Sequence, residues 1–165
     1  MRRKEIIMEH KESLLGLNEL HIMEFNIAGR YFGIEVTKIG ELVPMQYHPI
    51  HEMADAKAYV EGMVRIRDQS YTVLDFAGYM EAPTSETPER DILITLDCHQ
   101  KKVALHVHNV DGIQQLSRDM VEDPQPLVPG RNCKGIVEGL AKIADRITVL
   151  INPDKIVQDI SSPQE

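Results

Sequence analysis

Residues 20–43, LHIMEFNIAGRYFGIEVTKIGELV, decide how this chain is read. Two alternating patterns flank Ala28-Gly29-Arg30. In the first, Met23, Phe25 and Ile27 share one face, with Ile22 and Glu24 on the other. In the second, Phe32, Ile34 and Val36 point one way, Gly33 and Glu35 the other. A period of two is the side-chain period of a strand. Glycine tolerates the backbone angles of the tight turn between them. Ile39 and Leu42 extend the apolar set at a wider spacing, as a bend or bulge requires.

The pattern returns after about 71 residues. Met23 and Phe25 fall on Ile94 and Leu96; Phe32, Ile34 and Val36 fall on Val103, Leu105 and Val107; Ile39 and Leu42 fall on Val110 and Ile113. Further on, Gly62-Met63-Val64 resembles Gly135-Ile136-Val137, and Thr72-Val73-Leu74 recurs as Thr148-Val149-Leu150. Chance alternation of β-sequences competes with duplication here. Agreement of strand order, turn positions and the wider apolar spacing favours duplication. Either unit alone holds few apolar side chains, so two similar β-units in tandem are expected to pack together with a groove between them. Short strands with frequent turns suggest barrels, because closure removes exposed sheet edges.

The remaining chain fits around these units. Residues 1–19 read as a solvated arm, and residues 52–59 as a short helix or an irregular loop. Residues 60–76 read as a hairpin turning at Asp68-Gln69-Ser70, and residues 78–90, with Pro83 and Pro88, as an exposed linker. Ile92 to Leu96 is a strand, Gln100-Lys101-Lys102 a turn, and Asp123 to Gly130, with three prolines, a loop. Gly135 to Leu140 and Arg146 to Ile151 form a last hairpin. Asn152 as N-cap and Pro153 at the first helical position start a helix running to about Ile160. The expected division is an arm (1–19), units of about 20–82 and 90–151, a helix (152–160) and a tail (161–165).

A formal charge of −8 disfavours nucleic acid, whose phosphates need clustered Lys and Arg. No apolar run approaches the ~20 residues that span a bilayer. The basic Met1-Arg2-Arg3-Lys4 leads into charged residues rather than a secretory core, so the expected location is the cytoplasm. Cys98 and Cys133 have no CxxC spacing and read as small, partly buried side chains in a reducing compartment.

No Gly-rich phosphate loop, nucleophile elbow or acid–base couple is evident, so no catalytic residue and no cofactor is assigned. His106 and His108 lie two apart on a strand and share a face. Such a pair can bind a metal, with His99 or Asp111 nearby. The plainer reading is a solvated outer face opposite Leu105 and Val107, and no metal ligand set is assigned. His48 and His51, in a loop with Glu52, are read the same way. Arg67 closes the strand Met63-Val64-Arg65-Ile66-Arg67 before the turn at Asp68. There it is either a solvated cation or a groove-rim cation for a partner's carboxylates or carbonyls.

The run Phe25 to Leu42, F-x-I-x-G-x-x-F-G-I-x-V-x-x-I-x-E-L, resembles the opening of CheW-like domains. So do Val60-x-Gly62-Met63-Val64-x-Ile66-Arg67 and Tyr71-Thr72-Val73-Leu74-Asp75-Phe76, and later Ala104-Leu105-x-Val107-x-x-Val110 and Gly135-Ile136-Val137. The resemblance spans roughly Leu20 to Ile160. It implies an all-β fold of two SH3-like five-stranded barrels with a short C-terminal helix. It also implies a non-catalytic adaptor joining the regulatory domain of a CheA-type histidine kinase to the cytoplasmic tip of a chemoreceptor. Positions matching the family's receptor-coupling sites are Ile39, Glu41, Gly62, Arg67, Ile92 and Ile113. The isoleucines would supply an apolar floor and Glu41 and Arg67 a charged rim. The chain departs from the family pattern at Asp68, where glycine is usual, at Thr72, where proline is usual, and at His108, where an acid is usual. Prolines usual before the Gly62 block are missing around Asp55 to Tyr59. Two alternatives stay open: a divergent scaffold of another kinase pathway, and a metal- or small-molecule-sensing β-module using the His106/His108 face.

Overall fold

The computed structural model describes residues 18–54, 56–82, 91–98, 101–124 and 135–161. In chain order its strands are β1 (Glu19–Ile27), β2 (Arg30–Glu35), β3 (Ile39–Pro44), β4 (Val60–Ile66), β5 (Gln69–Asp75), β6 (Asp91–Leu96), β7 (Val103–His108), β8 (Val110–Ser117), β9 (Val121–Glu122), β10 (Val137–Ile143) and β11 (Arg146–Ile151). The helices are α1 (Phe76–Tyr79) and α2 (Pro153–Ser161). Residues 1–17 of the expected arm, most of the 78–90 linker, most of the 123–130 loop, Cys133 and the tail after 161 lie outside the described residues, and Glu19, expected in the arm, already belongs to β1.

The opening stretch folds as its periodicity predicts. Ile27 faces Arg30 across a two-residue loop, and Ala28 and Gly29 carry φ of 51° and 85°. Two positive φ values suit a turn whose twist matches the strands. β2 ends at Glu35, and Val36–Lys38 form a 3-10 turn, so Val36 leaves the strand while its side chain stays buried. This turn is the bend that the wider spacing of Ile39 and Leu42 required.

The strands form two sheets, ordered β8-β1-β2-β11-β10-β9 and β3-β6-β7-β5-β4. Both are antiparallel except where β2 meets β11 and β7 meets β5. The all-β fold of two small barrel-like sheets with a short C-terminal helix is therefore present, and the duplication is visible in the pairing itself. Met23 faces Ile113, and the pair moved by 71 residues, Ile94 facing Leu42, recurs in the other sheet. Phe32 beside Val149 recurs as Val103 beside Thr72.

Two expectations change. The last hairpins correspond at a spacing of 77, with Gly62 facing Val73 as Gly139 faces Leu150. Gly139, not Gly135, is thus the counterpart of Gly62. Nor do the sheets follow the sequence halves at about 20–82 and 90–151. Hairpin β1–β2 sits in the sheet completed by β8, β10 and β11, and hairpin β6–β7 in the sheet completed by β3, β4 and β5. The physical reason lies in two short links. Val36–Lys38 joins β2 to β3, and Asn109 alone, with φ 47°, joins β7 to β8. Links this short make corners rather than returns, so each third strand crosses to the other unit's sheet.

Exchange places the largest core between the sheets. Met23, Phe25, Phe32 and Ile34 meet Ile94, Leu105 and Val107 there. The chain's three phenylalanines are together in it: Phe76 lies edge-on to Phe25 and Phe32, at 5.1 and 5.0 Å between ring centroids. Such contacts add about 0.5–1.5 kcal/mol each beyond area burial. Each sheet also encloses a smaller cluster. Ile22, Ala141 and Leu150 fill one, and their counterparts Leu93, Val64 and Val73 fill the other. Helix α2 starts as predicted, with Asn152 Oδ1 accepting the Asp154 N–H at 3.0 Å, and buries Ile156 and Val157 in the shared core. Asp154 takes the Lys38 Nζ at 2.8 Å, and Asp159 takes the Tyr79 hydroxyl at 2.7 Å.

Candidate functional site

β3 is an edge strand beside β6, and the β4–β5 turn comes up against it. The turn is Arg67-Asp68, with φ of 50° and 64°, so Arg67 is a turn residue and not the end of a strand. Asp68 stands where the family favours glycine, in a left-handed conformation that glycine adopts at least cost. Arg67 Nε donates to both Glu41 carboxylate oxygens, at 2.9 and 3.0 Å. Glu41 is itself fixed: Thr95 Oγ1 accepts its N–H at 2.9 Å and donates to its C=O at 3.3 Å. Thr95 can approach because residue 40 is glycine; a Cβ there would lie 2.6 Å from the hydroxyl. Nearby, burial pushes the Tyr71 phenol up, and the negative charges of Glu41 and Asp97 add to this.

The Arg67 side chain remains 67 % exposed although one nitrogen is held. Its four Nη–H donors have no partner among the described residues. The pair is thus an aimed cation on a fixed anion. Beside it, Leu42 to Ile50 with Asp91 and Ile92 line an open cleft of about 850 Å³. Tyr47, on its wall, is mostly exposed.

The six positions matched by family resemblance separate into groups. Glu41 and Arg67 are in contact. Ile92 lines the cleft but is almost entirely buried. Ile39 is 0 % exposed and belongs to the shared core, so it supports the strand from beneath and forms no part of a contact floor. Gly62 answers a packing demand. Its φ is 146°, and a Cβ would stand 2.1 Å from the His51 carbonyl oxygen, because His51 and Met63 form a bridge there. Ile113 lies on the other sheet, partly buried against the shared core, as is its repeat counterpart Leu42. Thr95 carried no sequence signal of its own; its hydrogen bonds to Glu41 expose it.

The His106/His108 face is not a solvated outer face. One side of β7 faces the shared core; the other, with Ala104 and the facing Leu93, closes the small core of its own sheet. His106 lies between Glu61 (Nδ1–Oε1 2.7 Å) and Asp91 (Nε2–Oδ1 2.8 Å). Burial pulls its pKa down, but the hydrogen bonds to Glu61 and Asp91 outweigh it, and the imidazole is pushed up to about 9. His108 is pulled down by burial and by its neighbour His106. Asp111 takes no part, since it accepts from Asn26 at 3.0 Å, and His99 lies outside the described residues.

A second buried charge occupies the other sheet. Glu24, 0 % exposed, accepts from Arg146 and from Thr148 Oγ1, the latter at 2.5 Å. Tyr31 lies under the guanidinium, 4.5 Å from ring centroid to Cζ. At the repeat counterpart of Glu24 stands the neutral Thr95.

Compared with known proteins, residues 21–161 match the model of the CheW-like domain family. Two relatives cover nearly the same span. A probable chemotaxis protein CheW of Rhizobium etli is 19 % identical over 94 % of this chain and 98 % of its own length. A chemotaxis protein CheW of Rhizobium meliloti is 23 % identical over 82 % of this chain and 85 % of its own. The fold is shared with the crystal structure of the scaffolding protein TtCheW from Thermoanaerobacter tengcongensis: TM-score 0.73 at 20 % identity, covering 81 % of this chain and 88 % of that one.

Proposed function

This chain belongs to the CheW-like domain family, and on that premise we propose that it is a non-catalytic chemotaxis scaffold joining the regulatory domain of a CheA-type histidine kinase to the cytoplasmic tip of a chemoreceptor. It would act in the cytoplasm, at receptor arrays; no described helix is long and apolar enough to cross a membrane. The observation that carries the reading is the pair between Arg67 of the β4–β5 turn and Glu41 on the edge strand β3, in a chain matching the family along most of its length. Glu41 holds Nε and sets the direction of the guanidinium, so its outer donors are ready for a carboxylate or helix-end carbonyl on a partner. Charge of this kind chooses orientation and partner more than it adds affinity. Leu42 and Ile113, partly buried on the shared core, would give the apolar part of the contact. Ile39, Ile92 and Gly62 would act from beneath, by holding β3, β6 and β4 in place.

Titration calorimetry of the full chain with the kinase regulatory domain and with a receptor-tip coiled coil tests this. Both are expected to bind in the micromolar range. Arg67→Glu should weaken receptor binding about tenfold or more while circular dichroism shows the fold intact, although the new carboxylate beside Glu41 lowers the melting temperature. No binding of either partner at about 100 µM counts against the scaffold reading. Unaltered receptor affinity in a folded Arg67→Glu chain would remove Arg67 from the contact.

A further inference from the structure

Three side chains converge at the end of the β6–β7 hairpin. Asp91 faces His108 across the strands, and His106 is two residues back on the same face. One ligand atom from each of Asp91, His106 and His108 lies within 4.8 Å of the others. Asp91 Oδ1 is 2.8 Å from His106 Nε2 and 3.5 Å from His108 Nε2. Tetrahedral zinc with bonds of ~2.0–2.1 Å holds its ligand atoms about 3.3 Å apart. The two contacts to Asp91 lie within about half an ångström of that spacing, and the two imidazole nitrogens, within 4.8 Å of each other, can close to it by side-chain rotation.

We propose that Asp91, His106 and His108 form a binding site for a divalent transition-metal ion of the zinc class, with Glu61 positioning His106. The site is independent of the scaffold reading. Glu61 supports it from behind: its carboxylate lies 2.7 Å from His106 Nδ1. That contact holds the Nδ1–H, so that Nε2, once its proton has left, is the atom that faces Asp91 and His108, as carboxylates arrange behind metal-bound histidines. Two imidazoles and one carboxylate form a nitrogen–oxygen set suited to zinc and ill suited to magnesium or calcium, which prefer oxygen ligands.

His108 supplies an independent reason. The residue is 6 % exposed, its Nδ1 has no hydrogen-bond partner among the described residues, and its Nε2 has only the 3.5 Å contact. A buried polar ring so poorly satisfied is costly. A metal bond at Nε2 replaces the loose contact with a strong one and offsets part of the cost of burying the ring, while Nδ1 stays without a partner among the described residues. Binding releases the proton from His106 Nε2 to solvent, while Nδ1–H stays on Glu61. Asp75 stands with Glu61 and His106 within 4.8 Å, so the surroundings are rich in negative charge. Access exists through Asp91, whose side chain is 43 % exposed and which lines the open cleft.

The repeat shows that the fold does not require this cluster. At a spacing of 71 the counterparts of Asp91, His106 and His108 are Leu20, Glu35 and Thr37, and none is histidine. The cluster belongs to one sheet only.

The test uses the full chain stripped with a chelator and titrated calorimetrically with zinc chloride. One ion per chain is expected, with cobalt in its place giving the visible absorption of a tetrahedral site. Asp91→Asn and His108→Gln should each lower zinc affinity about tenfold or more and abolish the cobalt bands, and Glu61→Gln should lower affinity by about 10-fold. The partly exposed Asp91 can be changed without emptying the core, and circular dichroism checks that each variant folds. His48→Gln with His51→Gln should leave binding intact. Failure to bind zinc at about 100 µM, or binding undiminished in folded Asp91→Asn and His108→Gln chains, overturns the proposal.

Discussion

Replacing Thr148 by valine probes the buried charge of the β1-containing sheet with almost no change of shape. Thr148 is fully buried, and its hydroxyl donates to the Glu24 carboxylate at 2.5 Å. The variant removes that donor and leaves the charge with Arg146 alone. A hydrogen bond to a charged group contributes about 1.5–3 kcal/mol. Exchanging a buried hydroxyl for a methyl returns up to about 0.8 kcal/mol, the value of one buried carbon group. The expected net loss is about 0.7–2.2 kcal/mol, or roughly 1.5–9 °C in melting temperature for a chain of this size. Urea unfolding of the wild type and Thr148→Val gives the difference, provided both share one m-value. The same change in a Glu24→Gln background should cost only about half as much, because the acceptor is then neutral. A loss below about 0.5 kcal/mol, or the same loss in both backgrounds, would refute the reasoning that the hydroxyl stabilises a buried carboxylate.

Three other outcomes are expected. Asp68→Gly should stabilise by about 0.5–1 kcal/mol in urea unfolding, because residue 68 has φ 64° and glycine adopts it with less strain. Gly62→Ala should cost about 2 kcal/mol or more, since its Cβ would meet the His51 carbonyl at 2.1 Å; a chain that melts at the wild-type temperature would contradict this. Cys98, 2 % exposed, has its thiol pushed up to about 12, first by burial and then by Asp154. In a Cys133→Ser chain it should stay unreacted with a disulfide reagent at pH 8 until denaturant is added.

The opening hairpin, the bend after it, the helix cap at Asn152 and the repeat of the first three strands were legible because each is written in local spacing. The strand exchange was not, because periodicity says which face of a strand is apolar and nothing about which sheet it joins. Local likeness also misled: Gly135-Ile136-Val137 looks like Gly62-Met63-Val64, yet the pairing equates Gly139 with Gly62. Helix α1 escaped because Phe76-Ala77-Gly78-Tyr79 is a single turn with no side-chain cap. The histidine face was misread because β7 is covered on both sides, whereas alternation had assigned one side to solvent. Asp91, fifteen residues before His106, becomes its neighbour only through the β6–β7 register. At the proposed docking surface, the matched positions named Glu41 and Arg67 as two charges of a rim, but neither their direct pairing nor the complete burial of Ile39 was legible.

The crossing of strands has a consequence for biosynthesis. The β1–β2 hairpin leaves the ribosome before the other described strands, yet its neighbours β8 and β11 come from much later codons. Until then one flank after another of the nascent hairpin stands open, and no part of the chain can settle as a finished unit ahead of the rest. Such long-range closure slows folding and leaves sticky intermediates. Newly made chains should therefore lean on chaperones until β11 has emerged.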